Sequence, residues 1–168
     1  MLEERGEVPK RSEDATVDIR VSAHIPESYI SVSAQRMEMY KKISLIDDEV
    51  DAEDVTDELI DRFGEIPRET LTLIKVSLVR ALSTRAGLSR VEYRDGVLNF
   101  HQKTLDLGIW SEVFAKYPRL TFRGATSPVV TCKLVRGERP LDVAAEVLGE
   151  YKKVLEREDK GEDNGKEK

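Results

Sequence analysis

Glu58-Leu59-Ile60-Asp61-Arg62-Phe63-Gly64-Glu65-Ile66-Pro67 is the stretch that decides the fold of this 168-residue chain. Phe63 is the last apolar residue of a helical pattern, and we expect its ring to anchor the helix end in the core. Gly64 follows at once, and glycine adopts the positive φ that ends many helices. Pro67 opens the next helix, because its missing N–H costs nothing in a first turn. The stretch therefore predicts a sharp helix-turn-helix corner.

The faces of this corner differ in chemistry. Leu59 and Ile60 are expected to face inward. The acidic residues Asp57, Glu58, Asp61 and Glu65 are expected to face outward as a ridge. Glu58 and Asp61 lie three positions apart, so they share one helix face. Two interpretations stay open at this point: an ordinary solvated face, or a docking ridge for a surface rich in Arg and Lys.

Upstream and downstream of the corner, apolar spacing predicts three helices, Ser33–Ile46, Asp54–Phe63 and Pro67–Ala86. The first places Met37, Tyr40 and Ile43 inward, with Ser31 or Ser33 as its cap. The acidic run Asp47 to Asp54 separates it from the second helix, and we interpret that run as a solvated loop. The third helix is apolar on most sides, which is typical of a central helix, and Gly87 ends it.

Strand patterns flank these helices. Thr16 to Ile25 alternates between apolar and polar residues, which predicts a half-buried strand. Asp95-Gly96 predicts a tight hairpin turn within Arg90–Gln102. Further elements are a helix over Leu105–Lys116, strands over Leu120–Arg123 and Val129–Val135, and a helix from Pro140 that places Ala144, Val147, Leu148, Tyr151 and Leu155 inward. Helices cluster instead of alternating with strands, which favours an α+β class: a helical N-terminal half with the corner, packed on a small, mainly antiparallel sheet.

The two ends of the chain are polar. Residues 1–15 are charged and carry Gly6 and Pro9, so we expect a linker, followed by one domain over residues 16–157. From Glu156 onward every side chain is polar or charged apart from two glycines. Such a segment cannot bury apolar surface, so residues 158–168 are predicted to be a disordered charged tail.

Composition excludes several classes of protein. The net charge is −6, which argues against nucleic acid as the main partner. Lys75, Arg80, Arg85 and Arg90 are spaced so that they spiral round a helix, which is weak support for such a partner. The single cysteine forbids an internal disulfide and suits the reducing cytoplasm, where we expect the protein to reside. No apolar run is long enough to span a membrane, and no signal peptide is visible.

The residue patterns of common enzymes are missing. No phosphate-binding loop, nucleophile elbow, HExxH helix or paired CxxC motif is present. We interpret His24 and His101 as surface imidazoles and Cys132 as a buried, inert thiol. We therefore predict no catalytic, metal-binding or cofactor-binding residue and no cofactor. A small enzyme would need a convergent polar pocket that the sequence does not indicate.

Three linked motifs carry a family resemblance. The stretch 58–67 runs into a leucine-rich helix that stops at Gly87-Leu88. Ile25-Pro26-Glu27-Ser28-Tyr29-Ile30 precedes it, followed by Met39-Tyr40-Lys41-Lys42-Ile43. In order and spacing these segments resemble the C-terminal domain of the bacterial transcription-repair coupling factors (Mfd). Ser22 and His24 depart from the acidic residue and the tyrosine that are common there. Beyond Tyr93 only the order of elements is similar.

The resemblance implies a regulatory domain without catalysis of its own. Its parent would be an ATP-dependent DNA translocase that displaces stalled RNA polymerase and recruits UvrA to nucleotide excision repair. The domain would dock on an N-terminal repair module of the same polypeptide, mask the UvrA site and restrain the motor. Contacts would centre on Glu58 and Asp61, with Arg62 and Glu65 at the rim. The alternative is a stand-alone module that binds nucleic acid or RNA polymerase.

Overall fold

The computed structural model describes residues 14–124 and 126–166, the last five of them as backbone only. In chain order the elements are β1 (Thr16–Asp18), α1 (Ser33–Ser44), α2 (Glu49–Phe63), α3 (Arg68–Arg85), β2 (Leu88–Arg94), β3 (Val97–Gln102), α4 (Leu107–Lys116), β4 (Leu120–Arg123), β5 (Val129–Lys133) and α5 (Pro140–Lys166). Five helices and a five-stranded, mainly antiparallel sheet confirm the predicted α+β class.

The chain divides into two compact units, and α3 runs from the first into the second. Of the described residues, the first unit comprises Asp14 and residues 20–81, and it is helical. The second unit comprises residues 15–19 and everything from Leu82 onward, and it contains the whole sheet. We describe the two units separately.

In the first unit, the buried face of α1 agrees with the prediction at Ile43 and differs from it at Met37. Met39 and Ile43 are buried, whereas Met37 is 54% exposed and Tyr40 is half-buried. No side chain caps α1: its N-cap residue is Val32, so neither Ser31 nor Ser33 acts as predicted. The prediction of Met37 at the core was wrong because Met37 and Met39 lie about 200° apart round a helix, and only one can face inward.

Helix α2 begins five residues earlier than predicted, inside the acidic run. The Asp48 carboxylate accepts a hydrogen bond from the Asp51 N–H and caps the helix, and Glu49 and Asp51 lie in its first turn. Carboxylates are favourable there because the first N–H groups of a helix have no backbone partner and carry partial positive charge. The run that we interpreted as a loop is therefore a helix start.

The predicted corner between α2 and α3 is confirmed. α2 ends at Phe63, and Gly64 follows with a φ of 85°, its N–H donating to the Ile60 carbonyl. The carbonyl of Pro67 accepts from the N–H groups of Thr70 and Leu71, which begins α3. Glycine at positive φ and proline before a first turn are local requirements, which explains why the sequence predicts them well.

The segment Thr16–Ile25 was wrongly predicted as one strand, because only its first three residues, β1, are in the sheet. Further along, its backbone groups find other partners. The N–H of Ile25 donates to the Tyr40 hydroxyl, and the His24 carbonyl accepts from the Thr70 hydroxyl. The apolar and polar residues of this segment alternate although no strand lies beside it. Side chains of α1 and α3 form the hydrogen bonds that a neighbouring strand would otherwise provide to its backbone.

The sheet of the second unit has the strand order β1-β2-β3-β5-β4. β1 pairs with β2 in parallel, and the other three pairs are antiparallel. The turn between β2 and β3 places Asp95 at a φ of 53° and Gly96 at 79°. Two consecutive positive φ angles are the signature of the tight hairpin turn that Asp95-Gly96 predicted.

One face of this sheet is covered by α4 and α5. The ring of Trp110 on α4 lies 6.2 Å from Phe100 of β3 and 5.0 Å from Tyr151 of α5. The Trp110 indole N–H donates to the Gln102 side chain at 3.1 Å. Leu98 and Cys132 are fully buried in the same layer. This aromatic cluster is the core of the second unit.

Gly87 joins α3 to β2 at a position that favours glycine. Its φ is 74°, and a Cβ placed there would lie 2.3 Å from the Thr104 hydroxyl oxygen. Its carbonyl accepts from the N–H groups of Lys103 and Thr104. The backbone angle disfavours a side chain, and the close approach of Thr104 leaves little room for one.

The ends of the chain differ from the prediction. α5 continues as a helix to Lys166, so the expectation of disorder from residue 158 was wrong up to that point. Glu, Lys and Arg are good helix formers, and Glu156 pairs with Lys152 at 4.0 Å and with Arg85 at 3.7 Å. Residues 167–168 and residues 1–13 of the predicted linker lie outside the described residues. Ala15, its last residue, is buried, and its N–H donates to the Thr84 hydroxyl.

Candidate docking site

Two helices of the first unit meet along a row of four charged side chains, Glu38 and Lys42 of α1 and Glu58 and Arg62 of α2, which we call the charge seam. The Lys42 ammonium donates to both carboxylate oxygens of Glu58, at 2.9 and 2.7 Å. Nη1 of Arg62 donates to Oε2 of Glu58 at 2.8 Å. Glu58 thus lies between two cations.

Glu38 closes the seam from the other helix. It lies 3.3 Å from the Lys42 ammonium and 3.2 Å from the Arg62 guanidinium. Glu38 and Lys42 are four residues apart on α1, and Glu58 and Arg62 are four residues apart on α2. The contacts Lys42–Glu58 and Glu38–Arg62 join the two helices. Two carboxylates and two cations cancel, so the seam as a whole carries no net charge.

These contacts shift the protonation of all four groups. The hydrogen bond from Lys42, followed by that from Arg62, lowers the pKa of Glu58. The hydrogen bond from Arg62 is the first cause of the lowered pKa of Glu38. Bonding to Glu58 raises the pKa of Lys42 and that of Arg62. The seam therefore keeps its charges over the whole physiological pH range.

The predicted acidic ridge divides into two parts. Glu58 and Arg62 belong to the charge seam. Asp57, Asp61 and Glu65 are exposed, and none of them has an ion pair with another described residue. We call these three residues the acidic edge. The net negative charge of the ridge is therefore on the acidic edge, and Glu58 is already neutralised from within.

Two apolar residues of the corner do not lie where they were predicted. Leu59 is fully buried as expected, but Ile60 is 52% exposed. Consecutive side chains of a helix point about 100° apart, so Ile60 points away from the buried face that Leu59 occupies. Phe63 is only half-buried. Its ring meets the Tyr29 ring edge-on at 6.0 Å, and the Arg62 guanidinium lies 4.9 Å from its centroid. The aromatic anchor is therefore a pair of rings at the surface.

Tyr29 braces the corner from the segment before α1. Its hydroxyl lies 3.1 Å from the Leu59 carbonyl oxygen and 2.9 Å from the Gly64 carbonyl oxygen. Gly64 is the first residue after the end of α2. Burial raises its pKa, so it stays a hydrogen-bond donor at neutral pH. The carbonyls that a helix end leaves unpaired are in this way satisfied by a side chain.

Sequence reasoning missed three members of this site, Tyr29, Glu38 and Lys42. Each belongs to or adjoins one of the linked motifs, and the structure brings all three motifs together at the corner. A signal for two of them was present, because Glu38–Lys42 has the same four-residue spacing as Glu58–Arg62. Nothing in the spacing indicates that the two pairs face each other.

The other candidate residues are satisfied within the second unit. His101 lies 2.8 Å from the Glu92 carboxylate, and Cys132 is buried, which raises the pKa of its thiol. Arg85 pairs with Glu156. Within residues 14–124 and 126–166, no three His, Cys, Asp or Glu side chains are grouped to hold a metal ion. Nor does that part of the chain contain a helix long and apolar enough to cross a membrane.

Comparison with known proteins gives concordant matches. The transcription-repair-coupling factor of Escherichia coli (strain K12) is 30% identical over 94 residues, 55% of this chain and 8% of that protein. That of Staphylococcus aureus (strain USA300) is 28% identical over 99 residues, or 59% and 8%. That of Rickettsia bellii is 28% identical over 89 residues, or 52% and 8%. The chain therefore spans less than a tenth of the length of these relatives.

A solved structure shares the fold. The crystal structure of the C-terminal domain of transcription-repair coupling factor superposes with a TM-score of 0.69 and 23% identity, covering 86% of this chain and 94% of that one. The family profile of the TRCF domain matches residues 19–106, a span that holds the charge seam, the acidic edge and Tyr29. That span is more than half of the 168 residues, and the chain belongs to the TRCF domain family.

Proposed function

We propose that this chain is the regulatory C-terminal domain of a transcription-repair coupling factor, and that it acts by docking, without catalysis of its own. The docking partner is an Arg- and Lys-bearing surface on the N-terminal repair module of the same polypeptide. In the docked state the domain masks the UvrA site and restrains the motor that acts on DNA and RNA polymerase. The observation that carries the proposal is the acidic edge beside a rigid corner.

The chemistry of the corner suits a basic partner. Asp61 and Glu65 are exposed carboxylates without an ion pair among the described residues, so a guanidinium can reach both. Ile60, next to Asp61 and half exposed, offers apolar surface at the centre of such a contact. The charge seam fixes Glu58 and Arg62 in place, so little side-chain entropy is lost on docking.

The contribution of Glu58 differs from that of Asp61. Both of its oxygens already accept hydrogen bonds from Lys42, and one also accepts from Arg62. A cation of the partner would compete with Lys42 and Arg62 for Glu58, whereas Asp61 has no ion pair with another described residue. The docking surface that we expect is therefore centred on Asp61 and Glu65, with Glu58 and Arg62 as its fixed border.

The energies involved are within reach of such an interface. Shifting a closed state from 99:1 to 1:99 needs about 5.5 kcal/mol of differential binding. Close charge pairs inside interfaces have shown couplings of roughly 1.5–7 kcal/mol. An interface between domains of the usual size, about 600–1,500 Å², therefore suffices to hold the closed state.

The test is charge reversal in the full-length parent protein. Asp61→Arg with Glu65→Arg should open it, which raises UvrA binding and ATP turnover at least fivefold. The melting temperature of the 168-residue chain should stay within a degree or two, since neither residue has an ion pair to lose. Glu58→Arg should also open the parent but lower that temperature, because it places a third cation in the charge seam.

A matched control reverses two exposed carboxylates elsewhere on α2, Glu53→Arg with Asp54→Arg, which changes the net charge equally. The control should leave UvrA binding at the wild-type value. If the Asp61 and Glu65 variant binds UvrA no better than this control, the acidic edge is a solvated face and the docking proposal is wrong.

A further inference from the structure

The second face of the sheet, opposite the layer covered by α4 and α5, is polar. Pairing fixes which residues share it. One row across the strands joins Arg90, His101, Val129 and Arg123, and the next joins Glu92, Asn99, Thr131 and Thr121. A third row joins Arg94, Val97 and Lys133. Phe100 and Cys132, in the covered layer, alternate with these residues along β3 and β5.

Four exposed cations surround this face, Arg90, Arg94, Arg123 and Lys133. Two anions lie among them: Glu92 is held by Arg90 at 3.2 Å and by His101 at 2.8 Å, and Asp18 lies on the edge strand β1. The face is therefore positive by two charges in a chain whose net charge is −6. It is the reverse in sign of the acidic edge in the first unit.

Strand geometry sets the spacing of the cations. Arg90 and Arg94 are four residues apart on β2, or about 13 Å. Arg90 and Arg123 are three strands apart in one row, or about 14 Å, and Arg94 and Lys133 are two strands apart, or about 10 Å. The four residues thus border an area of roughly 10 to 14 Å on a side.

The centre of the face is built for hydrogen bonding. It holds Asn99, Thr131 and Thr121, the last two in contact through their hydroxyls. Asn99 is 9% exposed, and its amide oxygen has no hydrogen-bond partner among the described residues. Among the strand residues that the structure describes, no Phe, Tyr or Trp lies on this face. The face therefore lacks the aromatic anchors of protein interfaces and of single-strand binding sites.

From this arrangement we propose that the exposed cations bordering the polar face of the sheet form a docking surface for the phosphate backbone of a nucleic-acid duplex, bound without sequence preference. Arg, Lys, Thr and Asn side chains are the groups that contact phosphate and sugar in such complexes. Arg94, Arg123 and Lys133 contact phosphates, Arg90 stays paired with Glu92, and the exposed Thr121 hydroxyl lies between them. The surface is separate from the acidic edge and does not depend on the function proposed for it.

The experiment measures binding of the 168-residue chain to fluorescein-labelled 20-base-pair duplexes of two unrelated sequences, between 50 and 200 mM salt. Three phosphate contacts give a slope of about −2.7 in log K against log salt, or roughly a 40-fold loss over that range. The two duplexes should bind alike. The triple variant Arg94→Glu, Arg123→Glu, Lys133→Glu should bind at least tenfold more weakly at 50 mM salt.

The control is a triple reversal of exposed cations on α5, Lys153→Glu, Arg157→Glu, Lys160→Glu, with the same change in net charge. It should bind within threefold of the wild type. If the sheet variant fails to fold, the corresponding Gln variants replace it, with a smaller loss in the same direction.

Three outcomes would overturn the proposal. The first is no binding by the wild-type chain at 50 mM salt. The second is equal weakening by the sheet and α5 variants, which would show that net charge alone matters. The third is a polyglutamate competitor that displaces the duplex at equal charge concentration, which would point to an acidic protein surface as the partner.

Discussion

Trp110 and Phe63 each mark an aromatic contact of one unit, yet their surroundings differ. Trp110 is 0% exposed, between the rings of Phe100 and Tyr151, and its N–H is hydrogen-bonded to Gln102. Phe63 is half-buried, touched by Tyr29 on its edge and by Arg62 near its face. One ring stabilises a core, and the other stabilises a corner at the surface.

The difference shows how each unit obtains its stability. In the second unit, α4 and α5 exclude water from one face of the sheet, and apolar burial dominates. At the corner of the first unit, ion pairs and the Tyr29 hydroxyl hold two helix ends beside solvent. Polar contacts at the surface are individually weaker, but they leave Ile60 and Asp61 accessible.

The largest effect is expected from Trp110→Ala. Removal of a fully buried tryptophan typically costs about 3–5 kcal/mol and also leaves the Gln102 side chain without its donor. We expect a large drop in the urea midpoint, followed by circular dichroism. Trp110→Phe keeps an aromatic ring and should lose less. A loss below about 1 kcal/mol for the alanine variant would contradict the core described above.

A smaller effect is expected from Phe63→Ala. The ring is half-buried, so its removal should cost about 1–2 kcal/mol, well under the figure for a core aromatic. The same urea titration measures it, and the order of the two alanine variants is the comparison that matters. A loss as large as that of Trp110→Ala would mean that the corner is as tightly packed as the sheet core.

The smallest expected effect is a pH-dependent change in stability at Glu138. In the second unit, Arg119 donates two hydrogen bonds to Glu138, at 2.7 and 2.8 Å, and lowers the pKa of Glu138 to about 2. A lowered folded-state pKa gives stability that is complete above the ordinary value of 4.5 and is lost as pH falls toward 2.

Glu138→Gln should therefore be less stable than the wild type at pH 7, and the difference should shrink between pH 4.5 and pH 2. Thermal unfolding at several pH values measures this difference. Glu112→Gln, at an exposed residue of α4, is the matched control and should give no such trend. If the difference in stability between Glu138→Gln and the wild type does not change with pH, the loss comes from packing and not from the ion pair with Arg119.

The sequence predicted best what depends on neighbouring residues alone. Gly64, Pro67 and the Asp95-Gly96 turn each require a particular backbone angle, and that requirement is local. The family resemblance found the right region for the same reason, because its motifs are local signatures of turns and helix ends. The docking residues that it implied still await an experiment.

The sequence predicted least well what depends on distant partners. The contact of Lys42 with Glu58 spans 16 positions and that of Tyr29 with Gly64 spans 35, so spacing rules could not find them. β1 is short because the chain leaves the sheet for helix partners after Asp18. The low apolar content of residues 158–168 predicted a disordered tail. Helix α5 is already formed before this segment, so residues with high helix propensity are enough to extend it.

Cys132 has a consequence for kinetics. It is the single thiol of the chain, buried on β5 between Leu98 of β3 and Leu120 of β4. Its side chain lies in the layer that α4 and α5 cover, so a thiol reagent can reach it only when that layer opens, and burial also raises the pKa of the thiol. The labelling rate therefore reports openings of the layer between the sheet and its helices, without an introduced probe.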